Sequence, residues 1–389
     1  LNRSAKISLL SLAITTTFGT MMAAPAVKPL AVAFPDTSAL LVSWVVTLSS
    51  LFILPTLFIA GRLGRRFPRK NILLAGLLLY TFGGVGPAFM HSFTMILACR
   101  AILGLSIGLI SPTFNTLIAE SFQGEARLRM NGLQTSINGI GGAIFLCIGG
   151  IIASMGWREV FLTYFYAIGL IVLTLLFLPK FPPVPREPGA GVTVRLPKFF
   201  YAVAIAGGIH AMLFSLIPAN LSLFLAGNGI GNVASTGYLT AFALIGVCIG
   251  GLAISRLIGA FGKRLVPLDL IVMAGGFLLV SQAHAVWTVA AGVFLIGLAE
   301  GMLFPLSFMK TAEVVPRGGL PTGISLLLAS VYACQFLSPL FVRGVEALLG
   351  TESARGVFLL AALGLTAAAI AFVPFVRNRR QPAERMVQL

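Results

Sequence analysis

Twelve apolar runs set the terms for this chain: near 7–34, 38–60, 71–90, 93–119, 131–155, 160–178, 199–223, 233–255, 266–283, 285–309, 319–345 and 354–376. Crossing a hydrocarbon layer roughly 30 Å thick takes about 20 helical residues, and these runs are long enough. Barrel strands would be short alternating segments. The runs are instead continuous and rich in Leu, Ala, Gly and Ile, and a helix satisfies every backbone polar group within its own segment. Hydrophobic residues make up 58% of the chain and the mean hydropathy is +0.99, far from ordinary soluble domains. The expected fold is an all-α membrane protein of twelve transmembrane helices. The first run is too long for a signal-peptide core and continues as a span, so no cleavable leader is expected.

The net charge of +16 is not a nucleic-acid footprint, because it does not gather on a folded basic face. It lies in short loops on one side. That side carries 22 of the Lys and Arg residues, five of them in "GRLGRRFPRKN" (61–71), and the other side carries Arg158, Arg343 and Arg355. The positive-inside rule then puts both termini in the cytoplasm of a cell (plasma or inner) membrane. Cys99, Cys147, Cys248 and Cys334 fall inside spans without metal-ligand spacing and read as small packing residues.

Sliding the chain against itself by 193 or 194 residues reveals a repeat. "GLSIGLISPTFNTLIAE" (104–120) faces "GLAEGMLFPLSFMKTAE" (297–313), with Gly104/Gly297, Gly108/Gly301, Pro112/Pro305 and Glu120/Glu313 coincident. Pro25/Pro218 and Ala26/Ala219 align at the same offset, and "SRLIGAFGKR" (255–264) echoes the basic cluster. Between the halves runs a polar segment with five prolines before Gly189, too proline-rich for a helix. The expected organisation is a six-helix bundle over 1–178, a cytoplasmic linker over 179–198, and a second bundle over 199–389. Two parallel six-helix repeats suit rocking about a central site.

These residues resemble the major facilitator superfamily of secondary transporters, over essentially the whole chain. "GRLGRRFPRK" is similar to the family's loop pattern Gly-x-Leu-x-Asp-Arg-x-Gly-Arg-Arg between helices 2 and 3, with Arg65 in place of the Asp and Pro68 in place of a Gly. "RAILG" (100–104) resembles the family's helix-4 Arg pattern, and "GWREVF" (156–161) resembles a segment of its drug:proton antiporters. The antiporter Gly-Pro before Gly149 and Gly150 is absent. In the family the missing Asp helps lock the halves at the cytoplasmic face. A replacement is expected from Glu120 and Glu313, each meeting the basic residues of its own half: Arg66, Arg69 and Lys70, or Lys263 and Arg264. The alternative is two solvated carboxylates, worth ~0–1 kcal/mol each.

Ionisable residues inside spans are costly and mark partners or cavities. They are Lys28, Arg100, His210 and Glu300, with Asp269 near the cytoplasmic end of the ninth span, where water is expected to reach it. The resemblance implies that helices 1, 4, 7 and 10 line the cavity, and the first four residues fall one on each. Glu300 corresponds through the repeat to Ile107, two turns from Arg100, so the two share a face; if Arg100 faces the cavity, so does Glu300. Glu300 is expected to carry a coupled proton, with two alternatives: contact with a cationic substrate, or a structural partner for a cation. His210 either shares that proton or is a neutral ring bonded to a carbonyl. Lys28 either snorkels outward or, with Arg100, gives the cavity a positive field. Asn115, Gln134, Asn138, Asn220, Tyr332 and Gln335 are neutral polar candidates for binding, and Phe114, Phe214 and Phe304 could add apolar contact.

No nucleotide loop or metal spacing supports an enzyme, and "GIGG" (139–142) lies inside a span, as helix packing requires. No cofactor beyond a proton gradient is expected, and the partners are a small molecule and membrane lipid, with no nucleic acid, the chain acting as a monomer. The leading expectation is proton-coupled export of small amphipathic molecules. The alternatives are uptake or exchange of an organic anion, zwitterion or metabolite, and, more remotely, a passive channel or non-transporting sensor.

Overall fold

The computed structural model describes residues 3–64, 66–122, 130, 133–134, 137–181, 196–316, 320–350 and 354–377. Twelve helical segments follow in order: α1 (Arg3–Ala33), α2 (Ala39–Leu63), α3 (Arg69–Phe89), α4 (Phe93–Ser121), α5 (Ile137–Ala153), α6 (Trp157–Phe177), α7 (Lys198–Gly227), α8 (Val233–Phe261), α9 (Leu265–Ser281), α10 (Val286–Val314), α11 (Leu320–Leu349) and α12 (Ala354–Arg377). Eleven are long and apolar enough to span a membrane, and α5 is shorter, with 135–136 just before it outside the described residues. No strand occurs among the described residues. The twelve-helix all-α expectation is met. The central linker (182–195), Arg65, Arg127, Arg129, Arg317, the side chain of Glu120 and the tail beyond 377 lie outside the described residues.

The repeat glycines explain how the helices approach. A Cβ on Gly104 would collide with the Ser49 carbonyl of α2, and one on Gly108 with Thr56 and the Ile53 carbonyl. In the second half a Cβ on Gly297 or Gly301 would strike the Ala243 or Val247 carbonyl of α8. Thus α2 lies against α4, and α8 against α10, by the same small-residue packing. "GIGG" behaves as expected too: Gly141 faces Ile14, and Gly142 faces Thr17 and Leu244.

Two main apolar cores result. One gathers buried residues between Leu9 and Leu178; the other runs from Leu213 to Leu365 and takes in Ala143 and Leu146 of α5. Across the halves, α5 meets α8 and α2 meets α11. Among the described residues, the hydrogen bonds and ring stacks that join the halves sit at mid-membrane or toward the side away from the termini. Ser50 donates to Gln335 Oε1 at 3.3 Å, Trp44 stacks on Phe336 at 5.4 Å, and the Lys28 N–H donates to Ser222 Oγ at 3.2 Å. That last N–H is free because Pro25 breaks α1 into a 3-10 turn over Ala24–Ala26, where the Val27 N–H takes the Ala24 carbonyl.

A close backbone contact between the halves pairs Gly150 of α5 with Gly237 of α8, where a Cβ on either would enter the partner backbone. Gly237→Val should push α5 from α8 and cost about 1–3 kcal/mol, as overpacking does, read as a lower thermal midpoint of the purified chain. An unchanged midpoint would mean that this seam bears no packing load.

Candidate functional site

The buried charges separate into two clusters, one in each half. In the second half His210 of α7 stands between two carboxylates. Its Nδ1 lies 2.7 Å from Glu300 Oε2 of α10 and its Nε2 lies 3.0 Å from Asp269 Oδ2 of α9. All three side chains are buried. Asp269 is a correction: expected within reach of water, it is only 1% exposed. The reason is geometric, because α9 packs against both α10 and α12 and presents this first-turn region to α7 rather than to the water at its end. Asp269 Oδ1 has no hydrogen-bond partner among the described residues.

Each ring nitrogen faces a carboxylate oxygen at hydrogen-bond distance, so each contact must hold one proton, as N–H···O or as N···H–O. Two protons therefore occupy the cluster whichever way they are placed, and its net charge is −1. A third proton would neutralise it. Glu300 and His210 line a pocket together with Gly207, Leu303, Phe304, Ser307, Phe308, Leu327 and Val331, and Asp269 is not part of that lining. That pocket holds about 10 Å³, close to the space of one water. Phe304 and Phe308 meet edge to face there at 5.0 Å, so its walls are apolar and aromatic.

In the first half Arg100 is a second correction. It does not face a cavity; it is wholly buried. Its Nε donates to the Val45 carbonyl at 2.6 Å, Nη1 to Tyr164 Oη at 3.0 Å and Nη2 to the Gly19 carbonyl at 2.8 Å. Ser49 Oγ donates back to the Arg100 carbonyl at 2.9 Å. The fork of a guanidinium reaches three acceptors at once, and here it fastens α4 to α1, α2 and α6. The inference that Glu300 shares a cavity face with Arg100 therefore loses its premise, and Glu300 reaches its pocket by its own contacts. Ile107, the repeat equivalent of Glu300, is buried against Gly19.

The neutral candidates scatter. Gln134 Nε2 donates to Asn115 Oδ1 at 2.9 Å, and Asn138 Oδ1 accepts from Thr17 at 3.3 Å. Gln335 and Tyr332 lie at the meeting of the halves, Tyr332 packing on the first-half core. Asn220 bonds the Leu216 carbonyl of its own helix at 3.0 Å. Lys28 is partly buried beside the α1–α7 contact. Phe114 and Phe214 are buried in the two cores.

Of the two expected charge groupings at the basic side, the one built on Glu313 is not formed, and the one built on Glu120 lies outside the described residues. Lys70 Nζ donates to the Leu175 and Leu178 carbonyls at 2.8 and 2.6 Å, capping the end of α6, where a cation suits the helix dipole. Glu313 pairs with Lys310 at 2.6 Å, three residues away and exposed, so that it does not reach Lys263 or Arg264, which are themselves exposed. Arg66 is exposed and Arg69 is buried at the start of α3.

The residues missed by sequence reasoning are Asp269 as a partner of His210, and Tyr164 as a partner of Arg100. A carboxylate set inside the apolar run that follows Arg264 is the available signal for the first. No local pattern marks the second.

Comparison with known proteins decides the family. Residues 9–264 match the model of the Major Facilitator Superfamily. The chain belongs to that superfamily. Among curated superfamily relatives it is 32% identical over 143 residues to the multidrug transporter mfsC of Aspergillus fumigatus, covering 36% of this chain and 28% of that protein. It is 29% identical over 147 residues to the arabinose-proton symporter of Escherichia coli, covering 38% and 31%. It thus spans about a third or less of the length of these curated relatives. Two superfamily structures share the fold along the whole chain. A bacterial homologue of the human lysosomal transporter Spinster, inward-facing and occupied, superposes with a TM-score of 0.73 at 15% identity, covering 96% of this chain and 94% of that one. A D-xylose-proton symporter does so with a TM-score of 0.71 at 15% identity, covering 95% and 97%.

Arg100→Leu would take the guanidinium donors from the Val45 and Gly19 carbonyls and the Tyr164 hydroxyl, the Gly19 carbonyl keeping only the Tyr164 hydroxyl at 3.2 Å, at about 1–3 kcal/mol for each buried group left unsatisfied. The expected result is a large drop in the thermal midpoint that Arg100→Lys only partly restores, since an ammonium cannot present the same fork. Full stability in Arg100→Leu would show that the clamp is not structural.

Proposed function

We propose that this superfamily member is a secondary active transporter that works by alternating access and exports small amphipathic molecules in exchange for protons. The observation that carries the reading is the buried Glu300–His210–Asp269 cluster, with Glu300 at the edge of an apolar pocket between α7, α10 and α11. Likeness to a multidrug transporter supports export. The basic side is taken as cytoplasmic, by the positive-inside rule, in a cell membrane. No cofactor is invoked beyond the proton gradient, and the chain is taken to act as a monomer.

The chemistry follows from the proton ledger of the cluster. His210 holds Glu300 in place and, with Asp269, keeps the two bridging protons between them. The third proton is the mobile one, and Glu300 is where it lands. In the cytoplasm-open state the pocket, which has the space of one water in the present conformation, widens to admit the substrate, and Glu300 gives up its third proton to the cytoplasm so that the substrate takes the place beside the ionised carboxylate. On the other side the proton returns and the substrate leaves. The energy of the gradient is transferred because substrate and third proton are bound in alternation. Symport is the second reading, favoured by the likeness to arabinose-proton and xylose-proton symporters; there the two would be bound together.

The test uses purified chain in liposomes with an imposed pH gradient and amphipathic cations, zwitterions and anions as trial substrates. Accumulation into an acidic lumen marks antiport, and accumulation from an acidic exterior marks symport. Glu300→Gln keeps the hydrogen bond to His210 but cannot take the mobile proton. It should abolish uphill accumulation while leaving downhill exchange. Native uphill transport in Glu300→Gln would remove Glu300 from the proton path.

A further inference from the structure

The side away from the termini is closed asymmetrically. The repeat makes the α5–α8 seam equivalent to the α11–α2 seam: adding 193 takes Leu146, Gly149, Gly150 and Ala153 to Pro339, Val342, Arg343 and Glu346, and takes Ser43 and Trp44 to Thr236 and Gly237. On the α5–α8 seam small residues let the two backbones touch at Gly150 and Gly237. On the α2–α11 seam the larger residues at the same places hold the helices apart. The result is a cleft of about 330 Å³ between the far ends of α2, α7, α11 and α12, within the range of small-molecule sites.

Its chemistry is specific. Leu40, Leu223, Phe224 and Val342 form apolar walls, and Ser43 and Asn220, both buried, supply the polar groups of its deep end. At the rim the two charged lining residues are paired, Arg343 Nη1 bonding Glu346 Oε2 at 3.1 Å, and Arg355, outside the lining, is held by Asn228 Oδ1 at 2.6 Å and by the Ser281 and Ala283 carbonyls. Asn220 Nδ2 is engaged by the Leu216 carbonyl. That leaves the Asn220 carbonyl oxygen and the Ser43 hydroxyl. In α1 the repeat equivalent of Asn220 is Val27, buried in the first-half core, so the polar group and the cleft occur together on one seam only.

We propose that this cleft is a second binding site, separate from the Glu300 pocket, for a neutral amphipathic molecule that presents hydroxyl hydrogens to Asn220 and Ser43. Ala39, Leu40 and Ser43 belong to the first half and the other lining residues to the second. A ligand is therefore held only while the halves meet on this side, and occupancy favours that conformation in proportion to its binding. The site slows transport by retarding the return of the carrier, a consequence that rests on the alternating-access reading above.

Trp44 stands at this seam, next to Ser43 and stacked on Phe336, and it reports occupancy. The probe is a hexyl glucoside brominated at the end of its chain, added to the full chain carrying Trp157→Phe and Trp287→Phe in lipid nanodiscs. The expected result is saturable quenching of Trp44. Asn220→Leu, which removes the acceptor, and Val342→Phe, which fills the cleft, should each weaken it about tenfold or more, the scale of a lost hydrogen bond. Quenching that rises linearly and equally in native and variant chains is partition from lipid and overturns the site. Tighter quenching by a brominated hexyl sulfate or hexyltrimethylammonium overturns the neutral ligand class. Saturable binding that leaves the liposome exchange rate unchanged overturns the conformational effect alone, and because the quenching measurement needs no transport, its failure is distinct from failure of the transporter reading.

Discussion

A charge within hydrocarbon has no water to turn to, so it must be held by groups from several helices at once, and that requirement organises each half of this molecule. Arg100 joins α4 to α1, α2 and α6 through three donors. His210 joins α7 to α9 and α10 through two carboxylates. Each half is fastened by its own buried polar cluster and closed by glycine contacts that let helix backbones touch. Among the described residues the polar and aromatic joints across the halves are lighter: one backbone N–H to Ser222, one Ser–Gln hydrogen bond and one ring stack, beside the glycine seam and apolar packing. Strong ties within halves and weak ties between them are what a rocking carrier requires.

The two clusters also differ in what they can do. A guanidinium does not give up its proton in a protein, so the Arg100 clamp is fixed in charge and suited to structure. An imidazole and carboxylates can take up and release protons, and two of these groups, His210 and Glu300, border a pocket. The same repeat has therefore placed a static device in one half and a titratable one in the other. At the far side one seam is tight at Gly150 and Gly237, and its repeat equivalent holds a cleft lined by Val342, Arg343 and Glu346.

Much of this was legible in the sequence. Apolar run length gave the helices, and the offset of 193 paired Gly104 with Gly297 and Gly108 with Gly301, whose contacts prove equivalent. His210 and Glu300 stood out as mid-span titratable groups, although nothing local showed that they touch, because 90 residues separate them. Arg100 was misplaced because a helical face says which residues share a direction, not whether that direction is cavity or core. Closeness to a helix end is not closeness to water, and the packing of α9 against α10 and α12 buries Asp269. Glu313 pairs with the neighbouring Lys310 rather than with Lys263 or Arg264, and Lys70 caps a carbonyl pair at the end of α6.

The central claim is that the cluster holds two protons in its hydrogen bonds and takes a third on Glu300. Infrared difference spectroscopy of the purified chain between alkaline and acid pH tests it directly, by reading carboxyl protonation inside the membrane. The account predicts a protonated-carboxyl band that appears on acidification, persists in variants of the exposed carboxylate Glu313, and is lost in Glu300→Gln. A band that survives in Glu300→Gln, or the absence of any such band in the native chain, would contradict it.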